Sequence, residues 1–192
     1  LAVGFGAQSL VKDVIAGFFI ILETQFDVGD VVKGAGVQGT VERLNLRFTQ
    51  LRDVQGEVHF IPNGEFRVVS NLTRGWSRAV VDIPVAYGTE VDTALMQLRA
   101  VAAELAEDPH FSELMIEPPE VLGVESLAES SVNIRTFLKA RPGKQHDLAR
   151  EFRKRVKERF EAQGIEIPFP QRSIRISYPD SDAAPKTAGA PK

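Results

Sequence analysis

Metal chemistry would need ligands at short, regular spacing, and His59, His110 and His146 do not supply it, while the chain holds no cysteine to add thiolates. Asp13, Asp27, Asp30, Asp53 and Asp82 offer carboxylates for acid–base work. No nucleophile elbow, metal pair or phosphate loop frames them. Asp30 follows a glycine at a helix-to-strand junction, which is turn chemistry. The run Gly4-Phe5-Gly6 begins like a dinucleotide-binding fingerprint, but its third glycine is missing and no strand precedes it. The expectation is a protein that is not an enzyme and has no cofactor and no metal. The one basic cluster, REFRKRVKER from Arg150 to Arg159, suggests RNA, yet Glu151 with Arg155, Lys154 with Glu158, and Lys157 with Glu161 are spaced to pair on a helix surface. No aromatic-rich strand of the RNA-recognition type accompanies it.

The elements that would position such residues follow from composition and period. The 192 residues are 43% hydrophobic and 26% charged, ordinary globular usage with room for one or two domains. A net charge of -3 argues against nucleic acid or an anionic membrane as a partner recruited by charge alone. The opening lacks a basic n-region and a cleavage site, so it does not read as a signal peptide, and with no initiator methionine the chain reads as starting inside a longer protein.

That opening, LAVGFGAQSLVKDVIAGFFIILETQFDVGD, is the most unusual stretch. A helix from Leu1 to Leu22 would be roughly 33 Å long, enough for a bilayer core. A straight span would place Lys12 and Asp13 near the midplane at about 2.5 to 3.5 kcal/mol each. A simple lipid-facing span is therefore disfavoured. Before Gln8 the residues are apolar, and Ala2, Gly4, Gly6 and Ala7 leave little side-chain bulk, as where membrane helices approach closely. After Ser9 the projection puts Lys12, Asp13, Ala16, Gly17 and Thr24 on one side, with Val11, Val14, Ile15, Phe18, Phe19 and Leu22 on the other. Such an amphipathic helix lies along a membrane interface or packs its apolar face on protein, including the core of a soluble domain. A bend near Gln8 and Ser9 would reconcile the halves and let the charged pair reach water.

Taken in order, GFGAQ, VGD, IPNG and IPFPQ resemble the small-conductance mechanosensitive channel (MscS) family, from its third transmembrane helix to about Ser177. The resemblance implies a membrane pore helix followed by an α+β cytoplasmic region: an Sm-like β-barrel domain, then a ferredoxin-like α/β domain with a C-terminal strand. It implies domains at residues 1–28 (kinked pore and interfacial helix), 29–73 (Sm-like) and 74–178 (ferredoxin-like with barrel strand), before a disordered tail at 179–192. It further implies a tension-gated homoheptamer in the inner (plasma) membrane, cytoplasmic from about residue 29, in contact with lipids and passing ions and small solutes, with no nucleic acid. The family's pore constriction falls on Leu1 and Phe5, its helix-packing residues on Ala2, Gly4 and Gly6, and its hinges on Gln8, Ser9 and Gly17. Phe5 departs from the usual leucine and Ser9 from the usual glycine. The alternative is a soluble oligomeric RNA-binding module whose first helix buries against a partner subunit.

Beyond Asp30 the sequence predicts short strands. Leu44, Leu46 and Phe48 alternate, a slip between Val41 and Leu44 predicts a bulge, Val58 and Phe60 share a strand face, and Pro62-Asn63-Gly64 is a turn. A βαββαβ unit follows: a strand through Val81, Ile83, Val85 and Tyr87, and a helix capped by Thr89 and Asp92 with Val91, Leu95, Leu98, Ala102 and Leu105 as its stripe. A strand at Val132, Ile134 and Leu138, a helix from about Gln145 to Gln163 stopped by Gly164, and a last strand at Ile174, Ile176 and Tyr178 complete it.

Overall fold

A computed structural model describes residues 2–174 of the protein, with side chains from residue 7. The first element is α1 (Ala2–Leu22), a single α-helix of 21 residues. Its helical pattern runs unbroken through Gln8 and Ser9, so the expected bend is not a break in the helix. The chain leaves it at Thr24, whose φ of 50° turns the backbone out of helical geometry.

A five-stranded antiparallel sheet follows, built from β1 (Val31–Gly34), β2 (Val37–Leu44), β3 (Phe48–Arg52), β4 (Val58–Pro62) and β5 (Val69–Asn71). Its order is β4-β3-β2-β1-β5, a meander whose last strand returns beside the first. The register shifts between Val41 and Arg43, where the sequence predicts a bulge. Leu44, Leu46 and Phe48 do not share a strand as expected: β2 ends at Leu44, and Asn45 N–H donates to Phe48 C=O across a turn. The core is Ile20 of α1 with Phe26, Val32, Val41, Leu51 and Ile61. Among the described residues β4 and β5 are sheet edges that do not pair, so hydrogen bonds do not close the expected barrel. The 3₁₀ turn Asn63–Glu65 occupies the connection between them, and β5 has only three residues.

The second sheet comprises β6 (Ser77–Val85), β7 (Glu120–Leu127) and β8 (Val132–Ala140) in the order β6-β8-β7. Alternate residues of β6 and β8 are buried, as a half-buried strand requires. Against them pack α2 (Val91–Glu107) and α4 (Gln145–Gln163), with the short α3 (Pro109–Ser112) between α2 and β7. Leu148, Phe152, Val156 and Phe160 of α4 are all buried at fourfold spacing, and Gly164, at φ 66°, ends the helix in the left-handed cap. Three details of the expected unit differ. Tyr87 lies beyond β6, which ends at Val85. The N-cap of α2 is Glu90, with extended backbone and no side-chain cap, and not Thr89, whose N–H closes the preceding turn onto the Ala86 carbonyl. Ile174 is in no strand, while Ile176, Tyr178 and the tail at 179–192 lie outside the described residues.

Candidate functional site

The charged pair in α1 is a docking device. Lys12 reaches water as the sequence suggests, while Asp13 is half-buried and its Oδ1 accepts the Gly64 backbone N–H at 3.0 Å, so the carboxylate is also pinned to the β-sheet domain. Lys12 Nζ lies 3.3 Å from Glu65 Oε1, an exposed pair that adds little. One turn on, Gly17 is buried against the chain between β2 and β3: a Cβ there would stand 2.0 Å from the Leu46 carbonyl oxygen and 2.3 Å from Asn63 Nδ2. Glycine at 17 therefore has a packing reason. A further turn brings Ile20, 4% exposed, into the core of the first sheet.

Asn63 makes this surface rigid. It is fully buried, donates through Nδ2 to the Asn45 and Leu46 carbonyls at 2.7 and 2.9 Å, and accepts the Thr49 hydroxyl at 2.8 Å through Oδ1. Each polar atom of its amide is matched, which a buried amide requires. The turn Pro62-Asn63-Gly64, visible in the sequence only as a turn, thus receives the helix.

The opposite face of α1 is apolar and exposed. Val11, Val14, Ile15, Phe18, Phe19 and Leu22 are 39–64% accessible and form the side the projection assigns. The helix thus packs its polar and small face on its own protein and leaves its greasy face open, the reverse of a core helix. Leu1 lies outside the described residues. Ala2, Gly4, Phe5 and Gly6 lie in the first turns of α1, and Gln8 and Ser9 just after them are exposed. Among the described residues no helix is long and apolar enough to cross a membrane.

The remaining sequence candidates are structural. Asp30 Oδ2 takes the Asp27 N–H at 3.0 Å and Asn71 Nδ2 at 2.7 Å, fixing the junction of helix and sheet. Asp82 is held below the usual carboxylate range by the Arg135 guanidinium, and Asp108 by that of Arg155. In the basic cluster, Arg155 binds both Asp108 and Glu151, Arg159 reaches Glu104, and Lys157 pairs with Glu161. Lys154 lies 3.9 Å from Glu151, at i,i+3, and not beside Glu158 as the spacing suggests. A phosphate-binding face needs several free cations, and among the described residues all but Arg153 of this cluster are paired within the domain, which leaves the RNA reading without support. One grouping escaped the sequence. His59 Nε2 lies 3.2 Å from Asp53 Oδ2, and with Glu57 the three ligand atoms fall within 4.8 Å of one another. This trio is the set that could hold a metal among the described residues. Burial pushes the Asp53 carboxyl up, but His59 and the N–H groups of Glu57 and Gln55 outweigh it and hold it low.

Two family models match the chain: the mechanosensitive ion channel β-domain over residues 9–74 and the MscS C-terminal domain over residues 79–167. A small-conductance mechanosensitive channel of Caldanaerobacter subterraneus is 40% identical over 92% of this chain and 62% of its own length. The moderate conductance mechanosensitive channel YbiO of Escherichia coli is 30% identical over the whole chain and 26% of its own length. The chain therefore spans under two thirds of these relatives. The closed-state crystal structure of Helicobacter pylori MscS superposes with a TM-score of 0.77 at 23% identity, over 93% of this chain and 70% of that one, a likeness of fold. Together with the docked, outward-greasy helix, the two consecutive domain matches show that the chain belongs to the MscS family of mechanosensitive ion channels.

Proposed function

We propose that the chain forms the pore helix and cytoplasmic vestibule of a tension-gated channel, a homo-oligomer, heptameric by family resemblance, in the inner (plasma) membrane. The observation that carries this is α1, which clamps its polar face on the β-sheet domain and leaves its apolar face for lipid. In this reading Leu1 and Phe5 ring the constriction, where apolar side chains close a pore by dewetting. Ala2, Gly4 and Gly6 let neighbouring helices slide in contact. Gln8 and Ser9, exposed between the pore half and the clamped half, are where the helix bends on opening, while Gly17, at the family's other hinge position, stays packed against the first sheet domain. Tension favours the state of larger in-plane area, so gating is a population shift between two packings that releases ions and small solutes after osmotic downshock. Residues from about 29 onward form the cytoplasmic side.

Patch-clamp recording of the full-length protein under suction tests the reading. Pressure-activated current is expected, and Phe5→Ser, by wetting the constriction, gives channels that leak or open at lower pressure. Absence of current with surface assembly confirmed, or an unchanged threshold in Phe5→Ser, overturns the pore and the constriction respectively.

A further inference from the structure

We propose that the cleft between the two sheet domains binds a multivalent oxyanion. The cleft encloses about 880 Å³ and is walled by the first sheet, by the linker around Trp76, by β6 and by the start of α4. The protein carries a net charge of -3, yet this wall holds Arg52, Arg74, Arg78 and Arg153 against the single carboxylate of Asp53. Arg52 is neutralised by Glu42, and Asp53 is engaged by His59. The other three arginines have no carboxylate partner among the described residues. Arg74 donates to the Thr24 and Gln25 carbonyls, Arg153 to the Ala149 carbonyl of its own helix, and Arg78 lies over the rings of Trp76 and Phe137 at 5.0 and 4.6 Å. All three remain exposed.

A second, independent feature points the same way. The 19-residue helix α4 starts at the cleft, where Gly143, Gln145 and His146 line the wall, and its N-cap Lys144 supplies no side-chain cap. The positive end of the helix dipole thus lies at the cleft wall, and Asp147, the acid of the same first turn, is paired with Arg150. Uncompensated like charges around one concavity repel one another, and an oxyanion relieves that repulsion while accepting the guanidinium forks. The ring of Trp76 has Arg78 and Lys139 over it, each at 5.0 Å, so it orients cations instead of stacking on a ligand. Recognition here is by charge. Because the walls come from both domains, the bound anion bridges and stiffens their joint. This inference is independent of the pore reading.

Isothermal titration of the full-length protein in detergent at low chloride, with sodium pyrophosphate and separately with sodium citrate, tests it. Saturable uptake of one anion per subunit is expected, weakened about tenfold or more by Arg78→Gln or Arg153→Gln, since a hydrogen bond to a charged group is at stake. Arg150→Gln, on the same helix but paired with Asp147 and absent from the wall, leaves uptake unchanged. Tighter pyrophosphate assigns the site to phosphates, tighter citrate to polycarboxylates. No saturable uptake, equal loss in Arg150→Gln, or no loss in either wall variant overturns it. So does a weaker oligomer in the wall variants without uptake by the parent, which would give the cleft to a neighbouring subunit. Should Arg78→Gln fail to assemble, the exposed Arg153 decides the question alone.

Discussion

Gly17→Ala separates the docked helix from an ordinary amphipathic one, because the two readings predict opposite signs. On a free helix surface, glycine to alanine stabilises by about 1 kcal/mol through propensity. Here the new Cβ would stand 2.0 Å from the Leu46 carbonyl oxygen and 2.3 Å from Asn63 Nδ2, both anchored by the Asn63 network. Reaching an ordinary contact of 3.4 Å means moving helix and sheet apart by about 1.4 Å, the difference between 3.4 and 2.0 Å. A shift of that size along the same direction takes the Asp13–Gly64 bond, now 3.0 Å, out of hydrogen-bonding range. Overpacking costs about 1–3 kcal/mol and the lost bond to a charged acceptor about 1.5–3 kcal/mol; after the propensity gain of about 1 kcal/mol, roughly 1.5–5 kcal/mol of docking is lost. The assay is hydrogen–deuterium exchange at the Gly64 amide in the full-length protein. Local opening easier by that amount speeds exchange roughly 10- to 4,000-fold. Unchanged or slower exchange would refute the docking geometry outright, because propensity alone would then be acting.

Asp13→Asn keeps an oxygen facing Gly64 and should exchange nearly as the parent does, while Asp13→Ala leaves that N–H without its acceptor, at about 1–3 kcal/mol, and exchanges faster; equal behaviour of the two would remove Asp13 from the dock. Asn63→Ala orphans the Thr49 hydroxyl and the Asn45 and Leu46 carbonyls inside the first sheet, and an unfolding free energy lowered by roughly 2–4 kcal/mol, read from urea titration as a lower midpoint, is expected. Arg155→Gln tests the acid side of the α+β domain. Asp108 is held low in the folded state, so its contribution is complete above the unfolded aspartate value of about 3.9 and disappears as pH falls through the lower folded value. The stability difference between parent and Arg155→Gln should therefore be larger at pH 7 than below about pH 3; a pH-independent difference counts against this pair.

Local periodicity carried the elements whose partners lie close in sequence. The stripe Leu148, Phe152, Val156 and Phe160 and its stop at Gly164 were legible because a 3.6-residue period and a left-handed cap are local facts. So was the division of α1 into a polar and an apolar side, but not which side the protein keeps. That depended on the Gly64 N–H, far along the chain, which composition cannot announce. Strand β7 was not picked out for the opposite reason: its residues are mostly exposed, and two register shifts erase the period-two signal. The continuous reading of Leu44, Leu46 and Phe48 failed because alternation crosses a tight turn as easily as it follows a strand. The Asp53, Glu57 and His59 trio was invisible since a hairpin, not a spacing rule, folds them together.

In the proposed channel, the energy of the dock sets how tension is used. The Asp13 bond and the burial of Ile20 together hold each helix to its sheet with roughly 3–6 kcal/mol. Reversing a two-state population from 1:99 to 99:1 takes about 5.5 kcal/mol, so releasing one dock is comparable with the whole gating bias. Opening that peeled the helix from the sheet in every subunit would cost several times that bias. The lower-energy route keeps Asp13, Gly17 and Ile20 seated and bends the helix where it has no such contacts, around the exposed Gln8 and Ser9. The clamped half and the first sheet then move as one body, and the lipid-facing side chains from Val11 to Leu22 deliver tension to the vestibule as well as to the pore. Weakening the dock converts that lever into a slack joint, so Gly17→Ala should uncouple tension from opening even where the constriction is untouched.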